Sequence, residues 1–148
     1  EIHELRLLLE PSAAAMAAQR IPESEVARLQ TLAAEVKACQ QQYEDGNQSR
    51  EHLQKWGAAS RAFDYALHLA IAEHCGNLPI SEAIHKCWSY KRVSYSAADE
   101  SPEIMTRGLY DHTVLLDALQ NRDSETASAA MTMHLRNASR MRPDRLIV

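Results

Sequence analysis

Hydrophobic residues recur every three to four positions through most of the chain, which is the spacing of one face of an α-helix. The clearest example is the apolar side formed by Phe63, Leu67, Ala70 and Ile71. Residues that start or stop helices divide the pattern into successive segments joined by short connections. The pattern therefore predicts an all-α fold, an antiparallel helical bundle of six or seven helices.

Proline, glycine and capping residues set the predicted helix boundaries. ELRLLLE predicts a short first helix, and Pro11 then starts a new one because proline suits the first helical position. Asp45-Gly46-Asn47 predicts a turn, and Gly76-Asn77 predicts the end of the longest helix. After the first helix, the predicted helices cover SAAAMAAQR, Pro22 to about Tyr43, about Ser49 to Cys75, about Pro79 to Tyr95, Pro102 to about Gln120, and Ser124 to about Ser139.

Length and composition are typical of one soluble domain over residues 1–148. The chain is 45% hydrophobic and 24% charged, and no apolar run approaches the roughly 18 residues that a membrane span needs. Cys39, Cys75 and Cys87 lack metal-site spacing, which predicts reduced, mostly buried thiols in a cytoplasmic protein. The formal net charge of −4 argues against direct nucleic-acid binding, because phosphate contacts need clustered lysine and arginine.

Three predicted helices each carry a histidine on the apolar stripe, and one of them adds a carboxylate. Asp64 and His68 lie one helical turn apart, while His112 and His134 lie on the stripes of the last two helices. A buried carboxylate without a partner is costly. If the three helices are adjacent, one carboxylate oxygen and three imidazole nitrogens can point at one spot, and that set suits a divalent transition metal.

The same four residues have a second interpretation that spacing alone leaves open. Asp64 and His68 can form a hydrogen-bonded pair, with His112 and His134 as unrelated core histidines. The remaining histidines have no clear inward register and are expected at the surface or at helix ends. They are His3, His52, His74 and His85.

Three longer motifs extend over nearly the whole chain. ELRLLLEPSAAAMAAQR contains E-x-R-x-x-x-E before an alanine-rich helix, FDYALHLAIAEHCGN contains D-x-x-x-H before Gly-Asn, and DHTVLLDALQNRDSETASAAMTMHL contains two further histidines 22 residues apart. Together they resemble the FCD domain, the C-terminal effector-binding domain of FadR-subfamily, GntR-type bacterial transcription regulators. Leu67 stands where phenylalanine is more usual in that family, which leaves the ligand spacing intact.

The resemblance implies a function for the whole chain. It implies Asp64, His68, His112 and His134 as ligands of a divalent transition metal, most often zinc, with nickel or another first-row ion as alternatives. It further implies a small carboxylate effector on the metal's open positions, a homodimer, and DNA binding only through an N-terminal winged helix-turn-helix domain that this chain lacks. No membrane partner is expected.

Three residues are candidate effector contacts. Arg6 is the first, because a guanidinium can hold a carboxylate in a bidentate contact; the alternative is a surface ion pair with Glu10 one turn away. Asn77 and Arg92 are further candidates.

Two other function classes compete with the regulator. A metal held by three histidines can activate water in a hydrolase-like helical-bundle enzyme, but hydrolysis needs a general base, and Glu73 and Asp111 are expected to face outward. The four residues can also form a core network in an interaction module without a ligand. We therefore predict a regulatory domain and not an enzyme.

Overall fold

Six α-helices make up almost all of residues 1–93 and 101–141, the part of the chain that the computed structural model describes. The side chains of residues 92 and 93 lie outside the description. No strand occurs within these ranges, so the predicted all-α bundle is confirmed. The helices are α1 (Ile2–Arg20), α2 (Glu23–Glu44), α3 (Arg50–His74), α4 (Leu78–Val93), α5 (Pro102–Gln120) and α6 (Ser124–Met141).

The first two predicted helices are one continuous helix, so the predicted break at Pro11 is wrong. Proline inside a helix removes one hydrogen bond and crowds the carbonyl one turn earlier. The packing of α1 outweighs this cost. Alanine is the best helix former, and the small side chains that follow Pro11 let α1 lie closely against α6. The fully buried ones are Ala13, Ala14, Ala17 and Ala18.

The other boundaries agree with the capping residues in the sequence. Ser49 Oγ accepts a hydrogen bond from the backbone N–H of His52 at 3.1 Å, and Asp123 Oδ1 accepts one from Thr126 at 3.0 Å. Asn77 Oδ1 accepts the backbone N–H of Ile80 at 3.1 Å, so Asn77 caps α4. Such caps satisfy N–H groups that have no partner inside the helix. Tyr95, where the fifth predicted helix ends, lies outside the described residues.

The C-terminal end of α3 is hydrogen-bonded to the C-terminal end of α1. Gly76 has φ of +75°, a backbone conformation that side chains other than glycine rarely adopt. A Cβ atom there would lie 2.8 Å from Nε of Arg20, whose Nη1 donates to the Cys75 carbonyl at 2.8 Å. Gly76 therefore ends α3 and leaves room for the arginine that joins the two helices.

The core lies around α3, which packs against α1, α2, α4 and α5, while α6 covers α1 and α5. All three cysteines are buried thiols, as predicted. His52 lies at a helix end, in the first turn of α3, which is one of its two predicted positions. Its side chain is buried, with Nε2 2.8 Å from the Cys39 carbonyl, because the start of α3 packs against α2. None of the described helices is long and apolar enough to cross a lipid bilayer.

Candidate metal centre

Four buried side chains from three helices converge inside the bundle. Asp64 and His68 come from α3, His112 from α5 and His134 from α6. Each offers one ligand atom, and the four atoms lie within 4.8 Å of one another. The condition set by the sequence pattern, that the three helices be adjacent, is therefore met.

The Nε2 atoms of all three histidines face one oxygen of Asp64. Oδ1 lies 2.9 Å from Nε2 of His112, 3.3 Å from Nε2 of His68 and 3.9 Å from Nε2 of His134. Nε2 of His134 lies 3.2 Å from Nε2 of His68 and 3.1 Å from Nε2 of His112. The cluster is thus compact, and each ring presents the same nitrogen to it.

These distances fit the dimensions of a metal centre. Two ligands, each about 2.1 Å from one ion and about 90–110° apart, are separated by about 3.0–3.4 Å. The contacts of His134 with the other two rings, at 3.2 and 3.1 Å, fall in this range. Three imidazoles and a carboxylate form a donor set suited to first-row divalent ions.

Burial and neighbouring charges set the protonation of the cluster. Burial lowers the pKa of His112 and of His134, and the neighbouring imidazole lowers that of His134 further, so both rings are neutral at pH 7. Burial alone raises the pKa of Asp64, but Lys91 and the adjacent histidines hold it well below its usual value. These three groups are in the protonation states that metal binding requires.

His68 differs from the other two histidines because carboxylates lie on both sides of its ring. Burial lowers its pKa, but Glu10 and Asp64 together raise it above the usual value of 6.5. Nδ1 of His68 lies 2.7 Å from Oε2 of Glu10. Below this raised pKa, a metal ion would displace one proton from Nε2 of His68, while the Nδ1–H group keeps its hydrogen bond to Glu10.

Glu10 is a buried member of the site that the sequence pattern did not reveal. Arg6 does pair with it one turn away, with Nε 2.7 Å from Oε1, but the pair lies in the interior and not on the surface as expected. Trp88 Nε1 donates to the same oxygen at 3.1 Å. Glu10 and His68 are 58 positions apart, so a pattern within one helix does not reveal their contact.

Asp111 is also buried, with 6% of its surface exposed, so its predicted outward orientation is wrong. Its Oδ2 accepts a hydrogen bond from Nδ2 of Asn137 at 2.9 Å and lies 3.8 Å from Nδ1 of His134. The helix α5 packs against α6 as well as α2 and α3. The buried part of its surface is therefore wider than the single apolar stripe that the sequence pattern shows. Glu73 is exposed, as expected.

A cavity opens beside the cluster. Asp64, His112 and His134 form part of its wall, and Gly108 lies on the wall from α5. A Cβ atom added at Gly108 would meet no atom of the described residues within 4 Å. Three basic side chains also line the cavity, namely Arg61, Lys91 and Arg107.

The predicted effector contacts have different positions relative to this cavity. Arg6 is bound to Glu10 behind His68, and Asn77 is exposed at the start of α4. The side chain of Arg92 lies outside the described part of the chain. All three stay predictions, and Lys91 is a cavity-lining cation that the sequence pattern did not single out.

Comparison with known proteins gives the family. The profile of the FCD domain matches residues 1–137. The chain belongs to the FCD domain family. This confirms the resemblance found in the sequence motifs, and FCD is not an enzyme family.

A solved structure shares the fold of this FCD domain. It is Streptococcus agalactiae GntR, with a TM-score of 0.57 and 22% identity over 94% of this chain. The match spans 56% of that protein, so the FCD domain corresponds to little more than half of its length. No curated protein sequence matches the chain.

Proposed function

We propose that this FCD domain binds a divalent transition metal through Asp64, His68, His112 and His134, and that metal and cavity together take up a small carboxylate effector. The observation that carries the proposal is the convergence of the four ligand atoms within 4.8 Å. Three imidazoles with one carboxylate suit zinc, and nickel or another first-row ion is the alternative.

The hydrogen bonding of His134 favours a metal over a purely hydrogen-bonded core. Its Nε2 faces two other imidazole nitrogens, while its Nδ1 has no hydrogen-bond partner among the described residues. A buried polar atom without a partner costs about 1–3 kcal/mol. A metal on Nε2 would assign the hydrogen to Nδ1, on the side where Oδ2 of Asp111 lies 3.8 Å away.

The charge around the cavity supports a negatively charged effector. Lys91 and Arg107 line it together with the cluster, and a bound divalent cation would add further positive charge. A carboxylate could then bind the metal at a position that the protein leaves open while a basic side chain contacts it. Neutral compounds would gain neither interaction.

The family membership supports a regulatory role for this binding. The proposed whole protein is a homodimeric, FadR-subfamily GntR regulator whose N-terminal winged helix-turn-helix domain binds DNA. The effector would change the arrangement of the helices. This would in turn change the spacing of the two DNA-binding domains in the dimer. Such a shift is limited by the difference in effector affinity between the two states.

Metal analysis of the purified domain tests the proposal. We expect about one equivalent of metal after purification in buffer that contains zinc. We also expect a lower melting temperature after chelation, because an ion that binds only the folded state stabilises that state. His112→Ala should lose both effects. His52→Gln changes a buried histidine outside the cluster and should keep both. A wild-type domain without metal, whose melting is unchanged by chelator, would contradict the proposal.

The regulatory part needs the full-length protein. Its affinity for operator DNA should change when a small carboxylate is added, and this response should disappear in His112→Ala. A carboxylate that raises the melting temperature of the domain yet leaves DNA binding unchanged would restrict the function to effector binding.

A further inference from the structure

We infer that Glu10 is the positioning residue of the proposed metal centre, holding His68 so that its Nε2 faces the other three ligands. This inference rests on the proposed function, since it assigns a role relative to the metal. It adds a side chain outside the ligand set, from a helix that carries none of the four ligands.

The two nitrogens of His68 have separate partners. Nδ1 lies 2.7 Å from Oε2 of Glu10, and Nε2 lies 3.3 Å from Oδ1 of Asp64 and 3.2 Å from Nε2 of His134. An ionised carboxylate only accepts hydrogen bonds, so Nδ1 must carry the hydrogen. The lone pair available to a metal is then on Nε2, toward the cluster.

The carboxylate of Glu10 is itself held firmly. Oε1 accepts hydrogen bonds from Nε of Arg6 at 2.7 Å and from Nε1 of Trp88 at 3.1 Å, while Oε2 accepts Nη2 of Arg6 at 3.3 Å as well as His68. Only 1% of the residue is exposed. Rotation of the carboxylate would break several charge-assisted hydrogen bonds in the interior, so its orientation is defined before any metal binds.

A carboxylate behind a metal-bound histidine has two effects. It selects the tautomer and ring orientation, and its negative charge makes the metal-facing nitrogen a better donor. Here it also joins three helices, since Glu10 lies on α1, Trp88 on α4 and His68 on α3. Arg6, predicted as an effector contact, donates from Nε and Nη2 to this carboxylate. It thereby helps to fix the orientation of Glu10 next to His68.

The substitution Glu10→Gln tests the role of the charge. Glutamine has nearly the same shape and can still accept a hydrogen bond, but it is neutral. We expect zinc affinity to fall about 10- to 100-fold, measured by competition with a chelating dye. His52→Gln is the matched control, because it alters another buried histidine contact, at the Cys39 carbonyl, and should keep wild-type zinc affinity.

Nitrogen-15 NMR of the histidine rings gives a readout that does not depend on a variant folding. In the zinc-loaded wild-type domain, we expect His68 to carry its hydrogen on Nδ1 and to bind zinc through Nε2. Zinc on Nδ1, or wild-type affinity in Glu10→Gln, would overturn the inference while leaving the metal site intact. A wild-type domain that binds no zinc would overturn both the proposed function and this inference.

Discussion

The ammonium nitrogen of Lys91 lies 3.1 Å from Oδ2 of Asp64, while Oδ1 of the same carboxylate faces Nε2 of His112 at 2.9 Å. The two oxygens of Asp64 therefore have different partners: Oδ2 contacts the cavity-lining lysine, and Oδ1 contacts the histidine cluster. Lys91 also lies 4.2 Å from the centre of the Trp88 ring. Burial lowers the pKa of Lys91 to about 8 against the opposing effect of Asp64, so the lysine is mostly charged at pH 7.

Replacing Lys91 should weaken effector binding more than metal binding. Lys91→Met keeps most of the aliphatic stem and removes the charge, and a charge-assisted hydrogen bond contributes about 1.5–3 kcal/mol, or about 10- to 100-fold in affinity. Calorimetric titration of the zinc-loaded domain with small carboxylates measures this. Lys86→Met, at an exposed position of the same helix, is the control. Equal effector affinity in Lys91→Met and wild type would remove Lys91 from the effector site.

The Asp64–Lys91 pair should show strong coupling in the stability of the metal-free domain. Asp64→Ala leaves a largely buried ammonium without this carboxylate, and we expect a loss of about 2–3 kcal/mol. Adding Lys91→Met should restore part of it, because the uncompensated charge is removed. Urea unfolding of the two single variants and the double variant measures the coupling energy. Strictly additive effects would show that the 3.1 Å contact contributes nothing.

Gly108 provides a way to fill the cavity without touching a proposed ligand. Gly108→Leu should block effector binding and retain zinc. Gly108 lies on the cavity wall with open space beside it, and the leucine side chain would occupy that space. Gly108→Ala is the control, expected to stabilise α5 by up to about 1 kcal/mol through helix propensity. Effector-induced melting shifts and zinc content measure the two outcomes. An effector response that persists in Gly108→Leu would place the effector elsewhere.

Zinc affinity should fall as the pH is lowered, by about tenfold per pH unit once His68 is protonated. The sign follows from the pKa of His68, which is raised above 6.5 in the metal-free domain, so that below this raised pKa zinc must displace one proton. His112 and His134 have lowered pKa values, so they release fewer protons than His68 in this range. Calorimetry in two buffers of different ionisation enthalpy, at about pH 6, counts the released protons. Release of two or more protons would contradict this assignment.

Gly76→Ala should destabilise the domain by about 1–3 kcal/mol, since a left-handed backbone at a non-glycine residue costs about 1–2 kcal/mol and the new methyl group meets Arg20. In an Arg20→Ala background the cost should drop toward the backbone contribution alone. Thermal unfolding of the four proteins in this cycle measures the difference. An unchanged cost in that background would show that Arg20 moves aside freely.

The helices and the four proposed ligands could be predicted because their signals are local. Ser49 and Asp123 act on backbone groups three residues away, and Asp64 and His68 are neighbours one turn apart on a single helix. His112 and His134 each interrupt an apolar stripe, which a repeating pattern reveals without knowledge of the neighbouring helices. The resemblance to the FCD family added the assignment of all four to one metal.

The sequence by itself determined the helical bundle, the caps at Ser49 and Asp123, and the inward positions of the four proposed metal ligands, because each depends on side chains within one or two turns. Only the tertiary structure decided that α1 continues through Pro11, that Glu10 lies behind His68, that Asp111 is buried, and that Lys91 contacts Asp64. These outcomes depend on packing between helices. Glu10 and His68 are 58 positions apart and Asp64 and Lys91 are 27 apart, and no periodic pattern along the chain encodes such distances.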